Sequence, residues 1–351
     1  MKLGLGLYHH MLNKAHFDFA KQCGCTHLVV HLVDYFNKGN QKNKNDQPMG
    51  DGGGWGFAGN SKKLWEVDEL LKLKKEINDA GLELEAIENF DPADWYDILL
   101  DGPRKETQIE EIKRLIRNVG QAGIPVIGYN FSLAGVCSRI SGPFARGNAI
   151  SVGMDGVDNR PIPNGMVWNM VYNQDAEAGT VENISHETLW QRLEYFLKEI
   201  IPVAEAAGVI LAAHPDDPPM PVVRNTPRLV YQPEMYSRLL SIKPSKSNAL
   251  EFCLGSIAEM TEGDVYAATE LYANQIAYIH FRNVKGKVPH YKEVFVDEGD
   301  IDMIRILKIL KSKKFNGVLI PDHTPQMSCE GSWYAGMAYA LGYIKAAMTL
   351  V

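Results

Sequence analysis

Four residues in the second half of the chain have the types and the placement to hold a divalent metal. His214 closes the apolar run "VILAAHP", Cys253 lies near the end of "ALEFCLG", His280 sits in "IAYIHFRNV", and Asp322 ends "GVLIPDH". Two imidazoles, a thiolate and a carboxylate suit Mn²⁺, Fe²⁺, Co²⁺ or Zn²⁺, all of which accept mixed N, S and O donors. Substrate oxygens fit beside four protein ligands only if the metal expands beyond four-coordination, which favours Mn²⁺ or Fe²⁺. His214 also opens the segment "HPDDPP". Its prolines 215, 218 and 219 restrict the backbone, and Asp216 and Asp217 stand where they could orient ligands or substrate. A single histidine or cysteine at a strand end is ordinarily a packing or hydrogen-bonding residue. Four at equivalent positions of consecutive strands are a much stronger signal.

That signal needs an element pattern that brings strand ends together. Eight β-like runs occur, at 3–7, 27–32, 82–90, 125–131, 209–215, 249–255, 276–284 and 317–323. Most are continuously apolar, as parallel strands covered on both faces are. Amphipathic stretches such as "VDELLKLKKEINDAG" and "QIEEIKRLIRNVGQAG" lie between them. Several helices close on glycine (Gly81, Gly123, Gly208, Gly317) and pass quickly into the next strand. Two strand-to-helix connections are long instead, at 33–62 and 132–186. Short turns at one end and long loops at the other predict a (β/α)₈ TIM barrel. The whole chain, 1–351, is then one domain, with the loop insertions after strands 2 and 4 over the catalytic face. A doubly wound open sheet is the competing architecture, disfavoured by the count of eight and by the lack of GxGxxG after strand 1.

Composition narrows the function. The chain has 351 residues, a net charge of −7, and 45% hydrophobic and 23% charged residues. This is a globular composition with no basic stripe, so neither nucleic acid nor an anionic membrane is an expected partner. No run approaches the ~20 apolar residues of a membrane span. Five cysteines are an odd number, which argues against a disulfide framework and for the cytoplasm. Homo-oligomerisation is left open.

In this order and spacing, "HPDDPP", "CLGS", "HFRNV" and "PDH" resemble the mannonate dehydratase family, with "YNF" at 129–131 and "LWQRLEYFLKEIIPVAEAAGV" in further agreement. The likeness extends over roughly 80–131 and 186–345. It implies a barrel related to xylose isomerase that dehydrates D-mannonate to 2-keto-3-deoxy-D-gluconate with a divalent metal, commonly Mn²⁺. It also implies His214, Cys253, His280 and Asp322 as ligands, the set already chosen from strand ends. His323 and a downstream tyrosine, best matched by Tyr334, are implied in acid/base chemistry. The chain departs from the family after strand 4, where "LAGVCSRISGPFARG" keeps only an arginine, Arg139. It departs again after strand 7, where His290 matches the first of two family histidines and Val294 stands at the second.

Dehydration of a sugar acid needs a base for the C2 proton, an acid for the departing C3 hydroxyl, and stabilisation of the charge between. His323 follows Asp322 directly, so it reaches the pocket only if the strand has already ended. Tyr334 or His290 is the second proton-transfer candidate. Arg282, with Asn283 beside it, is a candidate clamp for the small sugar acid's carboxylate; Arg139 and Arg224 are others. Glu88 and Asn89 reach the rim from strand 3. His9, His10 and His31 end strands 1 and 2, and Trp55 sits in a glycine-rich loop that could close over a sugar. The main alternative is a metal-dependent sugar isomerase or epimerase on the same barrel, with Glu88 as its base. An endonuclease on abasic DNA and a non-catalytic sugar-acid binder are weaker, the one for want of basic residues, the other because four metal ligands would be superfluous.

Overall fold

The computed structural model describes residues 1–37, 47–48 and 54–351. Eight parallel strands close into a barrel: β1 (Lys2–Leu7), β2 (His27–Val30), β3 (Glu83–Glu88), β4 (Val126–Tyr129), β5 (Ile210–Ala213), β6 (Asn248–Cys253), β7 (Ile276–His280) and β8 (Val318–Ile320). Each pairs with its sequence neighbour and β8 returns to β1. The chain is therefore a (β/α)₈ TIM barrel.

Helices cover the outside: α1 (Lys14–Gln22), α2 (Val67–Asp79), α3 (Pro92–Leu100), α4 (Lys105–Gln121), α5 (His186–Ala207), α6 (Met235–Ile242), α7 (Leu254–Glu259), α8 (Val265–Tyr272), α9 (Met303–Ser312) and α10 (Ser332–Met348). Helix α5 shows how sequence sets their limits. The Ser185 hydroxyl accepts from the Thr188 amide at 3.0 Å and caps its start. Leu189, Leu193, Phe196, Leu197 and Ile200 then bury one face, and Gly208 ends it at φ 69°. Gly317 differs from expectation. Lys314 takes the left-handed conformation at the end of α9, and Gly317 serves instead where a side chain would collide with the Ala277 carbonyl.

Two-residue alternation fills the barrel interior. Val29, Ala86, Val126, Ala212, Tyr278, Val318 and Ile320 form a buried cluster of their own. Two residues further on, the same inward positions bring His31, Glu88, His214, His280 and Asp322 to the carboxyl end.

The run expected at 276–284 stops at His280. The chain turns at Phe281 and Arg282, and Asn283–Lys287 with His290–Val294 form an antiparallel hairpin. The connection after β4 likewise carries strands Ile140–Ala145 and Ala149–Asp155. Together these make a four-stranded antiparallel sheet, ordered 283–287, 290–294, 149–155, 140–145. Of the long glycine-rich connection after β2, residues 38–46 and 49–53 lie outside the described residues, and with them part of the loop expected to close over a sugar. Among the described residues no helix is long and apolar enough to cross a membrane.

Candidate metal centre and active site

Donor atoms of His214, Cys253 and His280, from three adjacent strand ends, lie within 4.8 Å of one another. Asp322 Oδ2 is 3.5 Å from His280 Nδ1. Asp322 has φ 68°, in the left-handed region, just after β8 ends. That break interrupts the alternation, so Asp322 and His323 both line the pocket although they are neighbours in sequence. Asp tolerates this conformation better than most residues.

The electrostatics suit a cation. Burial alone would raise the Cys253 thiol, but Arg282 foremost, then His214 and His280, hold it well below its ordinary value. Burial opposes charge on His214 as well, yet its bond to Cys253 and the field of Glu251 raise it to about 9. His280 Nδ1 is buried and has no hydrogen-bond partner among the described residues. A thiolate, a carboxylate and an orphaned imidazole nitrogen gathered in one place fit a divalent metal.

Behind these groups lies a buried ion-pair network. Arg282 donates to Asp217 at 3.0 Å, to Ser256 at 3.0 Å, to Cys253 Sγ at 3.4 Å, and to Glu293. It is thereby consumed among protein groups and does not line the pocket, contrary to its expected part as a substrate clamp. Asn283 is also withdrawn: its amide donates to the Val296 and Ile301 carbonyls and its oxygen accepts from the Val284 and Ile301 amides, bracing the loop. Asp216 accepts from the Leu229 and Val230 amides beside Arg228, lacing the loop after β5, and it too is absent from the pocket wall.

Asp217, Arg139 and Glu88 do line the pocket. Arg139 donates to Asp217 at 2.9 Å and to Gln47, while its Nε has no partner among the described residues. Arg224 lines an adjoining outer cavity of about 290 Å³ and donates to Asn169. The two cavities share Pro48, Trp55, Val136 and Arg139.

Tyr334 and His290 are elsewhere. Tyr334 starts α10, is exposed, and bonds through its hydroxyl to His16 at 3.1 Å on the outside of the barrel. His290 is an exposed residue of the outer sheet, 2.8 Å from Asp155. Besides His214 and His280, the histidine that joins His323 at the pocket is His31, 3.7 Å from Glu88. His9 faces a different surface cavity, and His10 packs on Tyr8 and Phe36.

Opposite the charged groups stands an aromatic wall. Tyr35, Trp55 and Trp168 meet at ring separations of 5.4–5.8 Å, and Tyr8 stacks on His31. Trp168 occupies the tip of a two-residue hairpin between Met166–Val167 and Met170–Val171, at φ 51°. Such turns favour Asn and Gly; an indole there costs about 1 kcal/mol or more and persists because its surroundings enforce it. Its amide donates to the Leu133 carbonyl at 2.7 Å and its indole N–H to the Asn130 carbonyl at 3.0 Å.

Two acids escaped the sequence reading. Glu251, on β6 two residues before Cys253, lines the pocket floor beside Glu88. Glu293, on the outer sheet, lies 2.7 Å from His323 Nδ1 and accepts from Arg282. Glu251 had a signal, a carboxylate in an apolar strand at the same parity as the candidate ligand Cys253. Glu293 had none, because its place depends on a hairpin that was not foreseen.

Comparison with known proteins follows the same lines. Residues 54–140 and 160–350 match the family model described as D-mannonate dehydratase. A mannonate dehydratase of Streptococcus suis is 37% identical over 278 residues, 74% of this chain and 75% of that protein. The crystal structure of mannonate dehydratase from Streptococcus suis serotype 2 superposes with a TM-score of 0.76 at 28% identity, covering 100% of this chain and 93% of the other. A xylose isomerase domain protein from Alicyclobacillus acidocaldarius, at TM-score 0.61 and 9% identity over 99% of each chain, shares the fold alone.

Proposed function

As the chain belongs to the mannonate dehydratase family, we propose that it removes water from D-mannonate to give 2-keto-3-deoxy-D-gluconate, with Mn²⁺ as its metal and the cytoplasm as its compartment. The supporting observation is the meeting of His214, Cys253 and His280, with Asp322 beside them, in a pocket that also holds Arg139 and His323. A divalent metal held by these four residues supplies Lewis-acid stabilisation of the negative charge that builds as the C2 proton leaves.

The chain's own groups do the rest. Arg139, braced by Asp217 and Gln47, meets the substrate carboxylate. His31 removes the C2 proton: burial, foremost, lowers its pKa and keeps the imidazole neutral. His323 protonates the departing C3 hydroxyl. Burial opposes its charge, but Asp322 and Glu293 outweigh that and raise it. Glu293 lies 2.7 Å from its Nδ1 and Asp322 3.3 Å from its Nε2, two carboxylates that hold the proton on the ring until it is delivered. Two histidines pushed in opposite directions give a natural acid and base. The aromatic wall takes the C–H face of the polyol chain.

The test is incubation of Mn²⁺-loaded protein with a panel of aldonates, following formation of 2-keto-3-deoxy acid. D-mannonate should be converted, and chelation should stop it. If no aldonate reacts while free aldoses interconvert, the isomerase reading replaces this one.

A further inference from the structure

Beneath the ligand cluster the barrel keeps two carboxylates that no step above requires. Glu88 and Glu251 come from opposite sides of the barrel and, with His280, place their polar atoms within 4.8 Å of one another. Both are buried, at 6% and 1% exposure. Neither oxygen of Glu251 accepts a hydrogen bond among the described residues. A buried carboxylate costs several kcal/mol as an order of magnitude unless a cationic or donor group meets it, and the imidazole within reach of Glu251 is that of His280, 3.2 Å away. Space is reserved for it: at Gly128 of β4 even a Cβ would collide with the Glu251 carboxylate and the Tyr278 hydroxyl.

Both carboxylates address one atom, His280 Nε2, which is 3.3 Å from Glu88 and 3.2 Å from Glu251. The other ring nitrogen, Nδ1, faces Asp322 and is the orphan. His214 is arranged the other way round. Its Nδ1 lies 2.6 Å from the Pro215 carbonyl, which can only accept, so the proton sits on Nδ1 and Nε2 is open.

We propose that Glu88 and Glu251 are positioning residues that retain the Nε2 proton of His280, so that His280 meets the metal through Nδ1 while His214 meets it through Nε2. The inference rests on the ligand set proposed above. It moves Glu88 from substrate contact to ligand orientation, and it makes Gly128 part of the metal site's architecture. Carboxylates that hold a ligand histidine's second N–H typically change metal affinity by about 10–100-fold.

Two measurements on the full-length protein test it. The first is Mn²⁺ affinity of the wild type, Glu251→Leu, Glu251→Gln and Glu88→Gln. Glu251→Leu should bind about 10–100-fold more weakly, whereas Glu251→Gln, which keeps an acceptor oxygen of the same shape, should recover most of the loss. The second is ¹⁵N-histidine NMR of the wild-type Zn²⁺-loaded protein, which needs no variant to fold. It should show one ligand histidine protonated on Nε2 and one on Nδ1, and the Nε2–H signal should be lost or shifted in Glu251→Gln. Wild-type affinity in Glu251→Leu, or both ligand histidines protonated on Nδ1, overturns the proposal. His214→Ala serves as the separate control. If it too binds metal normally, the ligand set itself has failed; if it loses metal while the glutamate variants do not, only this inference has.

Discussion

The two halves of the barrel rim solve different problems. Strands β5–β8 bring His214, Cys253, His280 and Asp322, and each is held by a partner: the Pro215 carbonyl, Arg282 with Ser256, Glu88 with Glu251, and His323. Strands β1 and β2 and the long connections bring Tyr8, His31, Tyr35, Trp55 and Trp168, held chiefly by ring-on-ring packing. Buried charges demand defined partners in defined directions, because an unmatched one is expensive. Aromatic packing tolerates offset and tilt. The charged half is therefore expected to be brittle and the aromatic half adjustable.

The largest effect should come from breaking the charged half at its proposed ligands. His214→Ala and Cys253→Ala should each empty the site of metal and lower kcat/KM by roughly a thousandfold or more, several kcal/mol of lost charge stabilisation. Metal analysis with the fold checked by circular dichroism reads this directly; full metal occupancy in both variants would refute the ligand assignment. Next is the network behind them. Arg282→Met leaves Asp217, Glu293 and Glu259 without their shared cation. It should cost ~3–5 kcal/mol of stability in denaturant unfolding; a loss under 1 kcal/mol would mean that the network is not holding the site.

A buried acid in the first turn of α3, away from the proposed ligands, adds a contrast in pH. Burial, then Asp91 and Glu111, push Asp94 up to about 7. Its folded value is thus above its unfolded one, so its presence costs nothing below about pH 4 and progressively more as pH rises toward 7. Asp94→Asn should stabilise the protein by on the order of 2 kcal/mol at pH 8 and leave it unchanged at pH 4. Equal effects at both pH values would contradict the shift. The smallest effect belongs to the wall itself. Trp168→Ala should raise KM for the hexonate about tenfold with kcat within about twofold, worth ~1.4 kcal/mol of binding common to ground and transition states. A fall in kcat at constant KM would place Trp168 in the chemistry instead.

The brittle half was the legible one. Its proposed ligands end apolar strands at one parity, and strand periodicity carries that information locally. Cys253, His280 and His214 could be found this way, and Asp322 as well, although the left-handed break that lets His323 join it is not visible in "IPDH". Arg282 and Asn283 were misread because the strand was extended through them; once β7 stops at His280, both side chains turn into the protein. Tyr334 rests on a match to the family's downstream tyrosine, but α10 starts at Ser332 and directs it toward α1. The aromatic half was least legible, since Tyr35, Trp55 and Trp168 come from separate connections and meet only through tertiary packing.

The four-stranded outer sheet carries a practical consequence for engineering. Backbone pairing of 290–292 with 153–155 stitches the connection after β4 to the one after β7. Neither can be exchanged for a relative's version alone without leaving the other with an unpaired edge. A graft meant to retarget this enzyme would have to transplant both segments together, as though they were a single cassette encoded in two places.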